Sequence, residues 1–155
     1  MKAISLWQPW ATWVALAWKT VETRTHKRLA GLVGETIAIH ATARPGPTAE
    51  YRRVQAAYLA ASPYMQRNNW ENIARLCTHY PYGAVVATAK VCDFRPLGEA
   101  DSQAAMIYCG KGFDEDPHPQ RYGLFLRNIE QVEPSISAKG ARGIWHWKRE
   151  GVRRA

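Results

Sequence analysis

The segment that most constrains how this chain can fold is residues 83–94, GAVVATAKVCDF, where valine-rich apolar positions alternate along a glycine-led run. That period-2 pattern predicts a β-strand. Five further segments read as extended: 2–7 (KAISLW), 20–24 (TVETR), 35–41 (ETIAIHA), 122–133 (YGLFLRNIEQVE) and 143–148 (GIWHWK). Helical spacing predicts short helices over 9–18, where Pro9 can open the first turn, and around 99–107. It predicts two more over 48–61 and 68–79, the latter with Asn68 and Glu71 placed as a capping box. The strands are not separated by regular helical crossovers, which argues against a doubly wound parallel sheet. The fold class expected is α+β: a small mixed or antiparallel β-barrel with flanking helices and a helical insertion at about 43–79. Residues 109–121, rich in Gly, Asp, Pro and His, read as a loop, and Pro134, Lys139 and Gly140 as a turn. One domain over 1–148 and a basic tail at 149–155 account for all 155 residues.

Charge narrows the choice of partner. The net charge is +8 and the isoelectric point is near 9.7, the electrostatic footprint of a nucleic-acid partner. Cys77, Cys92 and Cys109 are odd in number and widely spaced. They are expected to be reduced, mostly buried thiols rather than a disulfide framework or a zinc site. The N-terminal run MKAISLWQPWATWVALAW is interrupted by Gln8, Pro9 and Thr12, unlike a signal peptide, and no apolar run is long enough to span a membrane. A soluble, cytoplasmic protein is expected. There is no P-loop, no GxGxxG after a strand and no GxSxG, and no cofactor is expected.

Several separated segments resemble one family. Ser5-Leu6-Trp7-Gln8-Pro9-Trp10-Ala11 is similar to the S-x-x-Q-P-W/Y-A opening of ASCH domains. Ala17-Trp18-Lys19-Thr20-Val21-Glu22-Thr23-Arg24 resembles the family signature G-x-K-x-x-E-x-R, with Ala17 in place of its Gly. The strand Ile37–Ala41, the stretch Tyr80–Ala87 with Asp93 after it, and the closing segments Tyr122–Leu126 and Lys139–Trp145 match in order. The resemblance covers nearly the whole chain except the insertion. It implies a PUA-like barrel with a cleft that engages nucleic acid or a nucleotide. Small hydrolases of the family act on modified cytidine through a K-T-h-T form of the signature. Lys19 and Thr20 carry over to this chain, and Glu22 stands where the second Thr would be.

The residues themselves allow such a site. On an extended segment Glu22 and Arg24 share a face, and an Arg beside a carboxylate forms a rigid pair. Lys19 lies just upstream as a donor. As a base or nucleophile it would need a lowered pKa, which Arg24 favours and Glu22 opposes. The alternative is an ordinary ion pair with a solvated Lys19. Among seven tryptophans, most expected to be core, Trp10 beside Gln8-Pro9 is the best candidate to stack on a base. Trp145 and Trp147 share one strand face, with His146 on the other. His40 reads either as a structural histidine or as a ligand contact.

Three readings follow. The first is a nucleic-acid-binding module for RNA or single-stranded DNA, using Gln8, Trp10, Lys19, Arg24, Lys27, Arg28, His40 and Lys139. The second is a hydrolase acting on RNA or a modified nucleoside (ribonuclease or N4-acylcytidine amidohydrolase type) with Lys19 and Glu22 as the active groups. The third is an adaptor that docks a protein partner through 48–79.

Overall fold

In the computed structural model, residues 1–44, 80–106, 109 and 120–149 are described. The expected helices at 48–61 and 68–79, almost all of the 109–121 loop, Cys77 and the end of the tail lie outside those residues. The order of elements is β1 (Lys2–Leu6), α1 (Trp10–Ala15), β2 (Val21–Arg24), a 3₁₀ turn (Ala30–Leu32), β3 (Thr36–Ala41), β4 (Ala84–Pro96), a 3₁₀ turn (Glu99–Asp101), α2 (Ser102–Ala105), β5 (Tyr122–Ser137) and β6 (Ile144–His146). They form one six-stranded sheet in the order β2-β5-β4-β3-β1-β6. β1 and β3 run parallel, and every other pair is antiparallel. The fold class is therefore the expected α+β mixed sheet, coiled as a half-barrel with helices at its side.

β3 explains the two-sided core. Residues Ile37 to Ala41 are all buried, so the strand is covered on both faces. Ile37, Ile39 and Ala41 join the main cluster with Leu6 and with Ala11 and Val14 of α1. Ala38 belongs to a second cluster with Ala3, Val85 and Trp147, against which Trp145 packs. The shared face expected for Trp145 and Trp147 is thus apolar and inward, and His146 is exposed. Each fully buried aliphatic side chain contributes roughly 1.5–3 kcal/mol. Among the described cysteines, Cys109 is half-buried and Cys92 is exposed, which corrects the expectation of buried thiols there.

Two boundaries differ from the expected ones. β5 runs through Pro134 to Ser137, where a turn was expected. Pro134 fits because Val85 pairs with Ile136 and Ala87 with Gln131, so it falls in the irregular stretch between those rungs, where a missing N–H breaks no ladder bond. The first helix ends at Ala15 rather than residue 18. Ala17 has φ 56°, and the amides of Trp18 and Lys19 both donate to the Trp13 carbonyl at 2.9 and 3.0 Å. The left-handed residue that usually is Gly at a helix end is here Ala. That turn delivers Lys19 to the mouth of β2.

Candidate functional site

A cleft of about 1190 Å³ opens between β1, β2, the start of the chain after β3 and the segment that follows β5. Its floor is the signature segment. Glu22 and Arg24 share a face of β2, as alternation requires. Arg24 Nη2 lies 3.3 Å from Glu22 Oε1, and Lys19 Nζ lies 3.8 Å from Glu22 Oε2. Lys19 is only 2% exposed. Its ammonium donates to the Ala105 carbonyl at 2.5 Å and sits 5.3 Å from the centre of the Trp10 ring. Trp10 itself packs edge-on against Trp13. Burial pushes the Lys19 pKa below its ordinary value, with Glu22 opposing that shift and Arg24 adding to it.

The wall is the segment from Ala138 to Gly143, and two side chains hold it, buried His40 and half-buried Ser5. His40 Nε2 faces the Ala138 carbonyl at 3.0 Å. A carbonyl only accepts, so Nε2 carries the proton and Nδ1 faces Ser5 Oγ at 3.1 Å. Ser5 Oγ also lies 3.1 Å from the Ala141 carbonyl and accepts from Trp145 Nε1 at 3.1 Å. Gly140 lies directly over this cluster: a Cβ there would meet the His40 ring and come within 2.8 Å of Ser5 Oγ. His40 reaches this position beside a register shift. Ile39 pairs with Ala87 and His40 with Val85, so Val86 is the extra residue of a bulge on β4. Burial lowers the His40 pKa, with its bond to Ala138 opposing.

Lys19, Glu22 and Arg24 thus line one cleft, together with Trp10, Arg28, His40 and Lys139. Gln8 and Lys27 are not among the lining residues. Gln8 is buried in structural bonds, its Nε2 donating to Pro81 O at 2.7 Å and its Oε1 accepting from the Thr12 amide at 3.1 Å. Lys27 lies 5.4 Å from the centre of the Tyr122 ring, which stacks on Phe94. The sequence reading of the site missed Ser5, Trp7, Thr42 and the backbone of 138–143, all of which line the cleft. Trp7 is 38% exposed. A signal for it existed: it alternates out of β1, one step past buried Leu6.

The cleft is strongly cationic. Among its described lining residues the cations are Lys19, Arg24, Arg28, Arg44, Lys139 and Arg142, against the single carboxylate of Glu22. His26, also in the lining, has its pKa lowered by burial and by Arg24 and Arg28. Arg24 Nε is a buried donor with no acceptor among the described residues.

No protein-family model matches the chain, and no curated protein matches it by sequence. Solved structures do match. An ASCH protein from Zymomonas mobilis superposes with a TM-score of 0.55 at 13% identity, over 96% of this chain and 87% of that one. Two single-substitution variants of the same protein give 0.53 and 0.54, at 13% and 14% identity and over 96% of this chain. Among the described residues no helix is long and apolar enough to cross a membrane. With the mixed sheet, the flanking helices and this coverage, the fold of the chain is the ASCH fold.

Proposed function

We propose that the protein is a nucleic-acid-binding ASCH module that takes a single strand of RNA or DNA into this cleft. The observation that carries the reading is the charge of the lining: six cations, Lys19, Arg24, Arg28, Arg44, Lys139 and Arg142, face one carboxylate. A polyanion is the ligand such a surface attracts. Trp7 at the mouth supplies an exposed ring on which a base can stack, an interaction worth ~1–3 kcal/mol. Titration of a single-stranded oligonucleotide over a salt series tests it. Log affinity is expected to fall linearly with log salt, by about 0.7 per phosphate neutralised. A flat response removes the reading.

A hydrolase reading has one observation of its own. Lys19 is buried and its pKa lowered, a condition for a lysine base or nucleophile. Glu22 is the adjacent carboxylate. Incubation with acylated cytidine and with single-stranded RNA tests it. Turnover abolished in Glu22→Gln supports catalysis, and no turnover by the wild type removes it.

A further inference from the structure

The segment Lys139–Gly143 has an unusual backbone balance. Ala138 just before it is tied on both sides: its amide donates to Gly83 O at 2.9 Å, and its carbonyl faces His40 Nε2 at 3.0 Å. The Ala141 carbonyl lies 3.1 Å from Ser5 Oγ, whose one hydroxyl proton it shares with His40 Nδ1 at the same distance. The amides from Lys139 to Gly143 have no hydrogen-bond partner among the described residues. The side chains of Lys139 and Arg142 also form no ion pair or hydrogen bond there. All five residues line the cleft.

Peptide geometry then sets a direction. In a trans peptide the carbonyl and the following N–H point opposite ways. The cis bonds among the described residues are Gln8–Pro9 and Glu133–Pro134, so the peptides at 138–139 and 141–142 are trans. With the Ala138 carbonyl held on His40, the Lys139 N–H points away from His40. With the Ala141 carbonyl held on Ser5, the Arg142 N–H points away from Ser5. Each outward amide belongs to a residue with a cationic side chain. Gly140 lets the strip lie against the His40 ring, and Gly143, at φ 70°, turns the chain back into β6. These two amides, three residues apart and each on a cationic residue, present unpaired donors of the kind that make anion-binding concavities.

From this arrangement we infer that Lys139–Gly143 is a phosphate-binding loop, in which the amides and side chains of Lys139 and Arg142 hold one phosphate group. As the phosphate subsite of a bound strand it rests on the nucleic-acid reading above. As an anion site it stands by itself. Ser5 and His40 are positioning residues: they pin the carbonyls and do not touch the phosphate. The phosphate can be a diester within a strand or the monoester of a free nucleotide, and the experiment separates them.

Amide chemical shifts of the ¹⁵N-labelled full chain are followed while inorganic phosphate is added at ionic strength held constant with NaCl. Saturable shifts at Lys139 to Gly143 are expected. Absent or non-saturating shifts there overturn the inference. The decisive variant is Gly140→Ala, which removes no cation but pushes the strip off the His40 ring. At least tenfold weaker phosphate binding is expected. If that variant fails to fold, Ser5→Ala, which frees the Ala141 carbonyl, carries the same expectation. A folded variant of either kind with wild-type phosphate affinity shows that side-chain charge alone suffices and overturns the loop. A second arm compares a single-stranded oligonucleotide, its methylphosphonate counterpart and a nucleoside monophosphate. If the diester strand shifts these amides and the uncharged strand does not, the phosphate comes from a strand. If only the monophosphate does, the loop stands and the nucleic-acid reading falls. A strand that binds tightly without moving these amides overturns the loop and leaves that reading intact.

Discussion

On the floor of the cleft the charged side chains are engaged with groups inside the protein, whereas along its wall they face outward. Lys19 is shared by Ala105, Glu22 and Trp10, and Arg24 contacts Glu22. Lys139 and Arg142 are exposed and have no partner among the described residues. On the wall it is the backbone that is tied, through His40 and Ser5, which leaves its cations available. The floor therefore sets shape and local field, and the wall supplies charge to a ligand. A site divided in this way separates the residues whose loss unfolds the protein from those whose loss weakens binding.

The largest effect should come from the floor. Glu22→Ala leaves the buried Lys19 ammonium without its carboxylate, and breaking such a pair costs about 3–5 kcal/mol. Urea unfolding measures this, and a loss under about 1 kcal/mol, the worth of an exposed pair, would place Glu22 in the same class as the wall residues. His40→Ala comes next. It removes the bond to Ala138 and leaves that carbonyl unsatisfied, at about 1–3 kcal/mol. Faster hydrogen exchange should be confined to 138–143 if wall and floor are independent, and spread to β2 if they are not.

Ala17→Gly sharpens the floor from the opposite direction. A left-handed Ala costs roughly 1–2 kcal/mol that Gly does not, so the variant should be more stable, with a higher urea midpoint. An unchanged midpoint would mean that the turn carries no strain. The pH response follows from His40, whose folded pKa lies below its ordinary 6.5. As pH falls below 6.5 the unfolded chain takes up this proton before the folded one, so stability falls with acidification. The drop in melting temperature from pH 7 to pH 5 should be smaller in His40→Gln than in the wild type. The smallest effect on stability belongs to the Lys139→Gln/Arg142→Gln pair, within about 0.5 kcal/mol. The same pair should lower the salt slope of oligonucleotide binding by about 0.7, the one phosphate the two residues hold together.

The floor was legible in the sequence because it is local. Lys19, Glu22 and Arg24 lie within six positions, and strand alternation alone puts the latter two on one face. The wall was not legible. Ser5 reaches Ala141 and His40 reaches Ala138 through pairings of distant strands, and a backbone amide leaves no mark in the residue code. Lys139 was marked by its charge, but the work of Gly140 depends on a histidine 100 positions away. Gln8 shows the converse. Its place beside Pro9 and Trp10 suggested a ligand contact, and tertiary packing turned both ends of its amide to Pro81 and the helix. Pro134 suggested a turn because the local signal cannot register a bulge in a long strand.

The sheet order has a consequence for how the cleft comes into being. β1 pairs with β6 across almost the whole described chain, Lys2 opposite His146, and the wall is fastened through that same junction. The ion pairs of the floor join residues within a few positions, on a strand held by β5, while the wall waits for the two most remote segments of the sheet to find each other. Contacts of such long sequence separation carry the largest loop-closure cost and are associated with slow folding. The binding surface is therefore expected to be the last part of the molecule assembled and the first to come apart. Its ligand would then report on the completed fold, and a ligand held there would slow the loss of the whole sheet.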